Sequence, residues 1–358
     1  MKVLHVEAGR HLYGGARQAL YLLEGLHAQG VRNVLVCPPG AAIAAPARDF
    51  ALVEELPLGG DLDLGMLWRL HAALGRHRPD LMHLHSRRGA DIWGGLAAAW
   101  ARVPCVLSRR VDNPEPRWLA GIKYRLYDRV VTISEGIRQV LLAEGVPDEK
   151  VTCVRSAVDG ASIPTGCDRA TFLRTFDLPE GATVIGVIAQ LIPRKGHRYL
   201  FAAMPRLRDR HPGLRVVLFG QGPLEAELRA QVQAQGLQKE VVFAGFRTDL
   251  ANWLSCLDLV VHPADIEGLG VSLLQAALAG VPVIATRAGG MPEAVEEGVT
   301  GLLVDPGDVT GLQRAIERLL DDVPLRQALG RQGRARMLAE FSVQAMVAGN
   351  LAVYRSLS

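Results

Sequence analysis

The chain is short of aromatic residues, of paired cysteines and of long apolar runs, and each shortage excludes something. Aromatic residues make up 5% of the 358. None alternate with Lys or Arg in a recognition pattern, so a nucleic-acid partner is not expected. The five cysteines (Cys37, Cys105, Cys153, Cys167, Cys256) are odd in number, scattered, and never form a Cys-x-x-Cys. That argues against a disulfide framework or a zinc site and fits a reducing cytoplasm. No apolar run approaches the roughly 18 residues of a membrane span. The opening MKVLHVEAGR runs into Glu7 and Arg10, which reads as a short strand and not as a signal peptide. No Gly-x-Gly-x-x-Gly with an acidic partner opens either half, which argues against an NAD-dependent dehydrogenase.

What is present is an ordinary globular composition, 49% hydrophobic and 22% charged, in a length that suits two domains. The net charge of +3 is uneven. Residues 87–129 hold nine basic against four acidic residues. Such a run is either a solvated face or a patch for an anionic acceptor or an anionic membrane surface.

Apolar strands alternate with helical stretches twice over. Strands are expected at residues 2–6, 34–37, 81–84, 105–108 and 130–134, with a Gly14-Gly15 loop opening a helix to about residue 28. The rhythm restarts after the polar segment 159–183, with strands at 184–188, 215–219, 241–243, 259–261 and 281–285. This predicts an α/β protein with two parallel-sheet, Rossmann-like halves.

The densest stretch runs from Val261 to Val304. Glu267 follows an apolar strand, Gly268 and Gly270 permit a tight turn, and Val271 to Leu278 has helical composition that stops at Gly280. A helix start offers free N–H groups to an anion, and Glu267 beside it accepts from hydroxyls. Phosphate next to polyol describes a nucleotide-sugar. Upstream, Arg194-Lys195-Gly196 follows a strand and can pair with a diphosphate. Gly220-Gln221-Gly222-Pro223 and Phe246-Arg247-Thr248-Asp249 follow two more strands. In the first half, the run from Asp80 ends His83-Leu84-His85, which places both histidines on one strand face. Two histidines without a third ligand make a poor metal site. Arg109, Arg110 and Asp112 follow the next strand. Ser134-Glu135 reads as a helix cap. Asp61-Leu62-Asp63 matches a metal-binding Asp-x-Asp formally, but its context after a Gly-Gly turn reads as helix capping, and no metal is expected.

These motifs, in this order, resemble glycosyltransferase family 4, retaining enzymes of the GT-B fold, whose donor motif is Glu-x7-Glu. Here the first acid is Glu267 and the second position holds Gln275. A family arginine five residues before Lys195 is replaced by Gln190. The resemblance implies two Rossmann-like domains facing across a cleft: residues 1–165 on the acceptor side, 166–340 binding the donor, and a 341–358 helix crossing back to the first. It implies that Lys195, with Arg194, contacts the donor phosphates and that Glu267 binds the sugar hydroxyls. Gly14, Gly15, Gly220, Gly222, Gly268, Leu269 and Gly270 lend backbone to phosphate and sugar. Phe246 and Arg247 lie beside the nucleobase, Gln275 takes the ribose, and His85 takes the sugar. Arg109, Arg110 and Asp112 suit the acceptor. The expected reaction is metal-independent hexosyl transfer with retention, from a nucleoside-diphosphate sugar to a bacterial cell-envelope glycan or lipid-linked acceptor, such as lipopolysaccharide core. The rival expectations are a non-catalytic nucleotide-sugar binder, motivated by Gln190 and Gln275, and a GT-B epimerase. The expected place is the cytoplasm or the inner face of its membrane.

Overall fold

The structure, a computed structural model, describes residues 1–358 apart from 87, 88, 165 and 358. Two of the nine basic residues in 87–129, Arg87 and Arg88, therefore lie outside the described residues. The chain forms two compact units. Unit 1 is Met1–Ala157 with Val343–Ser358, and unit 2 is Val158–Ser342.

Unit 1 is built on seven strands: β1 (Lys2–Val6), β2 (Arg32–Cys37), β3 (Ala51–Glu55), β4 (Leu81–Leu84), β5 (Cys105–Arg109), β6 (Arg129–Thr132) and β7 (Val151–Cys153). All pair in parallel, in the order β3-β2-β1-β4-β5-β6-β7. Unit 2 holds β8 (Thr183–Ile188), β9 (Leu214–Phe219), β10 (Val241–Gly245), β11 (Leu259–His262), β12 (Val283–Thr286) and β13 (Gly301–Val304), ordered β10-β9-β8-β11-β12-β13 and again parallel. Each sheet is doubly wound. Its order reverses at β1/β4 in unit 1 and at β8/β11 in unit 2, and in such sheets ligands bind outside the strands' carboxyl ends at that switch point.

Three strands escape the sequence pattern. β3 (ALVEE) is a half-exposed edge strand with no fully buried residue, β7 has three residues, and β13 (GLLV) is too short for periodicity to separate from a loop. A proline bounds one more strand: β12 starts after Pro282, whose carbonyl still accepts from the Val260 amide at 3.0 Å.

The helices connect the parallel strands as crossovers. Helices Gly65–His77, Ala90–Ala101, Arg117–Lys123 and Glu135–Ala143 bury Met66, Leu70, Ala97, Ala98, Ala120 and Leu141 with side chains from the sheet in one core layer. The helix Gly14–Ala28 buries Leu22 and Leu26 in another layer, with Met346, Val347 and Leu351 of the final helix Val343–Arg355. The final helix thus packs within unit 1. The chain leaves unit 1 at Ala157, eight residues before the boundary at 165 that the polar linker suggested. The cause is Gln18, a buried side chain whose amide donates to the Ala157 carbonyl and accepts from its N–H, both at 2.7 Å.

Two local expectations are corrected. Cys167 and Cys256 form a disulfide within unit 2, although they stand 89 residues apart with no spacing motif. Tertiary packing sets their Cα atoms 5.0 Å apart, which spacing could not foretell, and the cysteine argument for a reducing compartment lapses with it. Cys37 and Cys105 are buried thiols outside this bridge. Asp63 is not a helix cap: the helix Gly65–His77 has no side-chain cap. Its carboxylate instead accepts from the Gly59 amide at 2.8 Å and pairs with Arg69, which folds the Gly-Gly turn and lowers its pKa. Ser134, by contrast, caps its helix by accepting from the Ile137 amide at 3.2 Å. Among the described residues no helix is long and apolar enough to cross a membrane.

Candidate functional site

In unit 2 the site grows from the carboxyl ends of β8 and β11, at the switch point. Pro193–Lys195 makes one 3-10 turn after β8, and Gly196 follows with φ +68°. A Cβ there would lie 1.9 Å from the Pro263 carbonyl oxygen, so only glycine lets this turn press onto the loop after β11. The Asp265 amide, donating to the Arg194 carbonyl at 2.8 Å, stitches the two loops together. As a result Lys195 pairs with Glu267 across 72 residues of sequence.

Glu267 is the hub. One carboxylate oxygen, Oε2, takes Lys195 and also His262 Nε2 at 2.8 Å. The other, Oε1, accepts the Gly268 amide at 3.1 Å. A carboxylate offers about four lone-pair sites; three are occupied, and one on Oε1 remains for a ligand hydroxyl. Burial works to raise the Glu267 pKa, but the hydrogen bond and charge of His262 and the charge of Lys195 outweigh it and hold the carboxyl well below the usual range. The Lys195 ammonium has three donors and spends one on Glu267. Nearby, His197 is buried, and among the described residues neither of its ring nitrogens has a partner. Burial, with His262 and Lys195 adding to it, lowers its pKa to about 4.

In unit 2 the rest of the predicted donor set lies on the loops and helix starts after β8, β9, β10 and β11. Helix Val271–Leu278 starts at Gly270 (φ +80°) without a side-chain cap, which leaves first-turn N–H groups open. Gln275, one turn in and half-buried, has no side-chain hydrogen-bond partner among the described residues. Leu269 is buried, so it can offer only backbone. Arg194 is half-buried with no ion pair among the described residues, and Gln190 is exposed. Gly220 takes φ +154° against the loop that follows β8: a Cβ would meet the Ala189 carbonyl at 1.9 Å, and one on Gly222 would meet that of Leu191 at 2.4 Å. Phe246 is half exposed. Arg247 is tied to Asp249 by two bonds of 2.8 and 2.6 Å, which leaves its backbone rather than its guanidinium for a ligand.

In unit 1 the equivalent position, the β1/β4 switch point, holds three buried histidines. Register pairs His5 of β1 with His83 of β4. His5 Nδ1 lies 2.9 Å from His85 Nε2, while His83 bonds Tyr354 Oη at 2.5 Å and Ser108 Oγ at 2.9 Å. Burial lowers the His5 pKa to about 3 and holds His83 and His85 far below the ordinary value, with neighbouring His and Arg110 charge adding to it. All three imidazoles are therefore neutral near pH 7. Among the described residues His85 Nδ1 has no partner, which makes it the nitrogen left for a ligand. Gly15 stands beside Arg110: a Cβ would lie 3.6 Å from its Cδ. Gly14 meets nothing within 4 Å.

The third histidine alters one argument. Nitrogens of His5, His83 and His85 lie within 4.8 Å of one another, so strand register supplies the ligand that sequence spacing lacked. The set still suits a cation poorly. Both His83 nitrogens are spent on Tyr354 and Ser108, and the Arg110 charge already disfavours positive charge on His83 and His85.

Of the acceptor candidates, Arg109 is corrected. It is 2% exposed, pairs with Glu115 at 3.1 Å and donates to the Asn113 carbonyl at 2.5 Å. It braces the loop after β5 and cannot reach a ligand without unfolding it. Arg110 is half-buried and Asp112 buried. Sequence reasoning missed His262 and His5. A histidine closing a strand next to a predicted site loop was the available signal for the first; nothing in sequence pairs His5 with His85.

Two family models match the chain, "Glycosyltransferase Family 4" over residues 13–161 and "Glycosyl transferases group 1" over 168–336. The chain is 29% identical over 354 residues to the lipopolysaccharide core biosynthesis glycosyltransferase LpsE of Rhizobium meliloti, which spans 97% of this chain and 96% of that protein. It is 33% identical to the 2-deoxystreptamine glucosyltransferase of Streptomyces kanamyceticus over 73% of each chain. It is 36% identical to a GDP-mannose-dependent phosphatidylinositol monomannoside mannosyltransferase of Mycolicibacterium smegmatis, over 77% of this chain and 72% of that one. Among solved structures, Anabaena HepE in complex with UDP-glucose superposes with a TM-score of 0.87 at 22% identity, covering 99% of this chain and 100% of that one. The fold is therefore GT-B.

Proposed function

The chain belongs to glycosyltransferase family 4, and from that premise we propose that it moves a hexosyl group from a nucleoside-diphosphate sugar to an acceptor, with retention at the anomeric carbon and without a metal. The observation that carries this reading is the Lys195–Glu267–His262 cluster beside an uncapped helix start. The free donors of Lys195, with Arg194, would meet the diphosphate, whose charge grows as the glycosidic bond breaks. The open lone pair on Glu267 Oε1 would accept a sugar hydroxyl, and Gln275 would hold the ribose. In unit 1, the free Nδ1 of His85 would meet the sugar, and Arg110 with Gly14 and Gly15 would face the acceptor or phosphate. The acceptor we favour is a bacterial cell-envelope glycan or lipid-linked glycan; LpsE, matched over nearly its whole length, is named for lipopolysaccharide core.

A thermal-shift screen of nucleoside diphosphates and their sugars tests the donor half, because a ligand of the native state raises the melting point by mass action. Failure of every nucleotide to stabilise the protein would sink the reading. Saturating EDTA is expected to leave transfer intact, since phosphate is met by Lys195, Arg194 and backbone amides. Abolition by EDTA with rescue by Mn²⁺ would turn attention to His5, His83 and His85.

Gln275 motivates a second reading, a nucleotide-sugar binder with decayed turnover. Glutamine can accept from one ribose hydroxyl and donate to the other. Gln275→Ala is expected to weaken donor binding by about 1–2 kcal/mol, measured by calorimetry, and Gln275→Glu to be tolerated. If the native protein binds donor without turnover and Gln275→Glu gains activity, the second reading holds. An unchanged Kd in Gln275→Ala removes this residue from the site.

A further inference from the structure

The helix Arg117–Lys123 of unit 1 is inverted relative to a helix that faces water. Its inner side carries Ala120 and Lys123, both buried. Lys123 Nζ is held by Asp91 and Glu115, each at 3.0 Å. Its outer side carries Trp118, 71% exposed, Ile122, 62% exposed, and Leu119, 39% exposed. An amphipathic helix on a soluble surface turns its apolar residues inward and its lysine out. Here two acidic side chains hold the lysine inside and leave an aromatic and two aliphatic side chains in solvent, in a chain where aromatic residues are scarce. The outer face is therefore an apolar surface in solvent, and it calls for an apolar cover.

The charges around the face name that cover. Arg117 and Arg125 flank it, both exposed, and neither has an ion pair among the described residues. Arg125 also lines a cavity of about 300 Å³ with Arg102 from the end of helix Ala90–Ala101, and Arg102 likewise has no ion pair among the described residues. Asp128 lines the same cavity, but one of its carboxylate oxygens is engaged by the Cys105 amide at 2.8 Å. A protein partner would have to match its apolar groups with acidic side chains set at all three arginines. An anionic bilayer supplies both: an interfacial layer that takes tryptophan and short aliphatic side chains, and phosphates for the arginines.

We propose that this face is the membrane-docking surface of the protein, with Trp118, Leu119 and Ile122 entering the interface of an anionic bilayer and Arg102 and Arg125 gripping a lipid phosphate. The proposal rests on the lipid-linked acceptor of the reading above but needs neither donor nor transfer, so the two fail separately.

The test is cosedimentation of the full chain with vesicles of phosphatidylcholine alone and with one-third phosphatidylglycerol. Binding is expected to the anionic vesicles, weakening as salt rises. Trp118→Ser with Ile122→Ser is expected to lose at least tenfold in partitioning, and Arg102→Gln with Arg125→Gln about fivefold per arginine. Both pairs lie on the surface, so melting temperature and donor affinity in solution should stay at wild-type values; that check separates lost docking from lost folding. Equal partitioning of wild type into neutral and anionic vesicles overturns the proposal. So does wild-type partitioning by either double variant. Binding of a soluble anionic oligosaccharide that depends on Arg102 and Arg125, with no vesicle binding, also overturns it and assigns the arginines to a soluble acceptor.

Discussion

Replacing Lys195 with alanine is expected to lower kcat/KM by about 30- to 1000-fold, the equivalent of roughly 2–4 kcal/mol of transition-state stabilisation. The reason is differential charge. The diphosphate gains negative charge as the sugar departs, and a mostly buried ammonium beside it strengthens most in the transition state. In the present structure the lysine rests on Glu267, so donor binding must share or draw away that ammonium. His262, at 2.8 Å on the same oxygen, keeps Glu267 partnered when it does. Ground-state nucleotide binding should therefore fall less than kcat. A variant with near wild-type kcat/KM would remove Lys195 from the chemistry.

Glu267→Gln is expected to cost roughly 10- to 150-fold in kcat, about 1.5–3 kcal/mol, the value of a hydrogen bond to a charged group, with a smaller change in donor Kd. The amide keeps the size of the side chain but loses the carboxylate that Lys195, His262 and Gly268 converge on. It also changes the pH dependence of stability. Because the folded-state pKa of Glu267 is depressed, its contribution is full above the unfolded carboxylate value near 4.3 and is lost as pH falls below it. The melting-temperature gap between wild type and variant should thus narrow from pH 6 to pH 3. A constant gap, or an effect on Kd larger than on kcat, would contradict the role given to Glu267.

The same residues show where sequence reasoning reached and where it stopped. Glu267 and Lys195 were legible because each follows an apolar strand and precedes a helix, a local pattern that places a side chain at a sheet's carboxyl edge. Their ion pair was not legible, because it depends on Gly196 letting one loop lie against the carbonyl of Pro263. His83 and His85 were legible as a strand pair, while His5 joined them only through the register of β1 against β4. Arg109 and Arg110 looked alike in sequence, yet one is sealed in an ion pair with Glu115 and the other stands next to Gly15.

By itself the sequence determined the alternation of strands and helices, the division into two parallel sheets, the family, and the strand-to-helix loops that carry Lys195 and Glu267, because all of these rest on local periodicity or on residues close in the chain. Tertiary structure alone decided the Cys167–Cys256 bridge, the third histidine, the His262 support of Glu267 and the inverted helix that exposes Trp118. Each of these joins residues 5 to 89 positions apart, or turns on which side of a helix faces the core. Helix periodicity alone would have buried Trp118 and Ile122; the two carboxylates that draw Lys123 inward lie on other segments, and only folding brings them there.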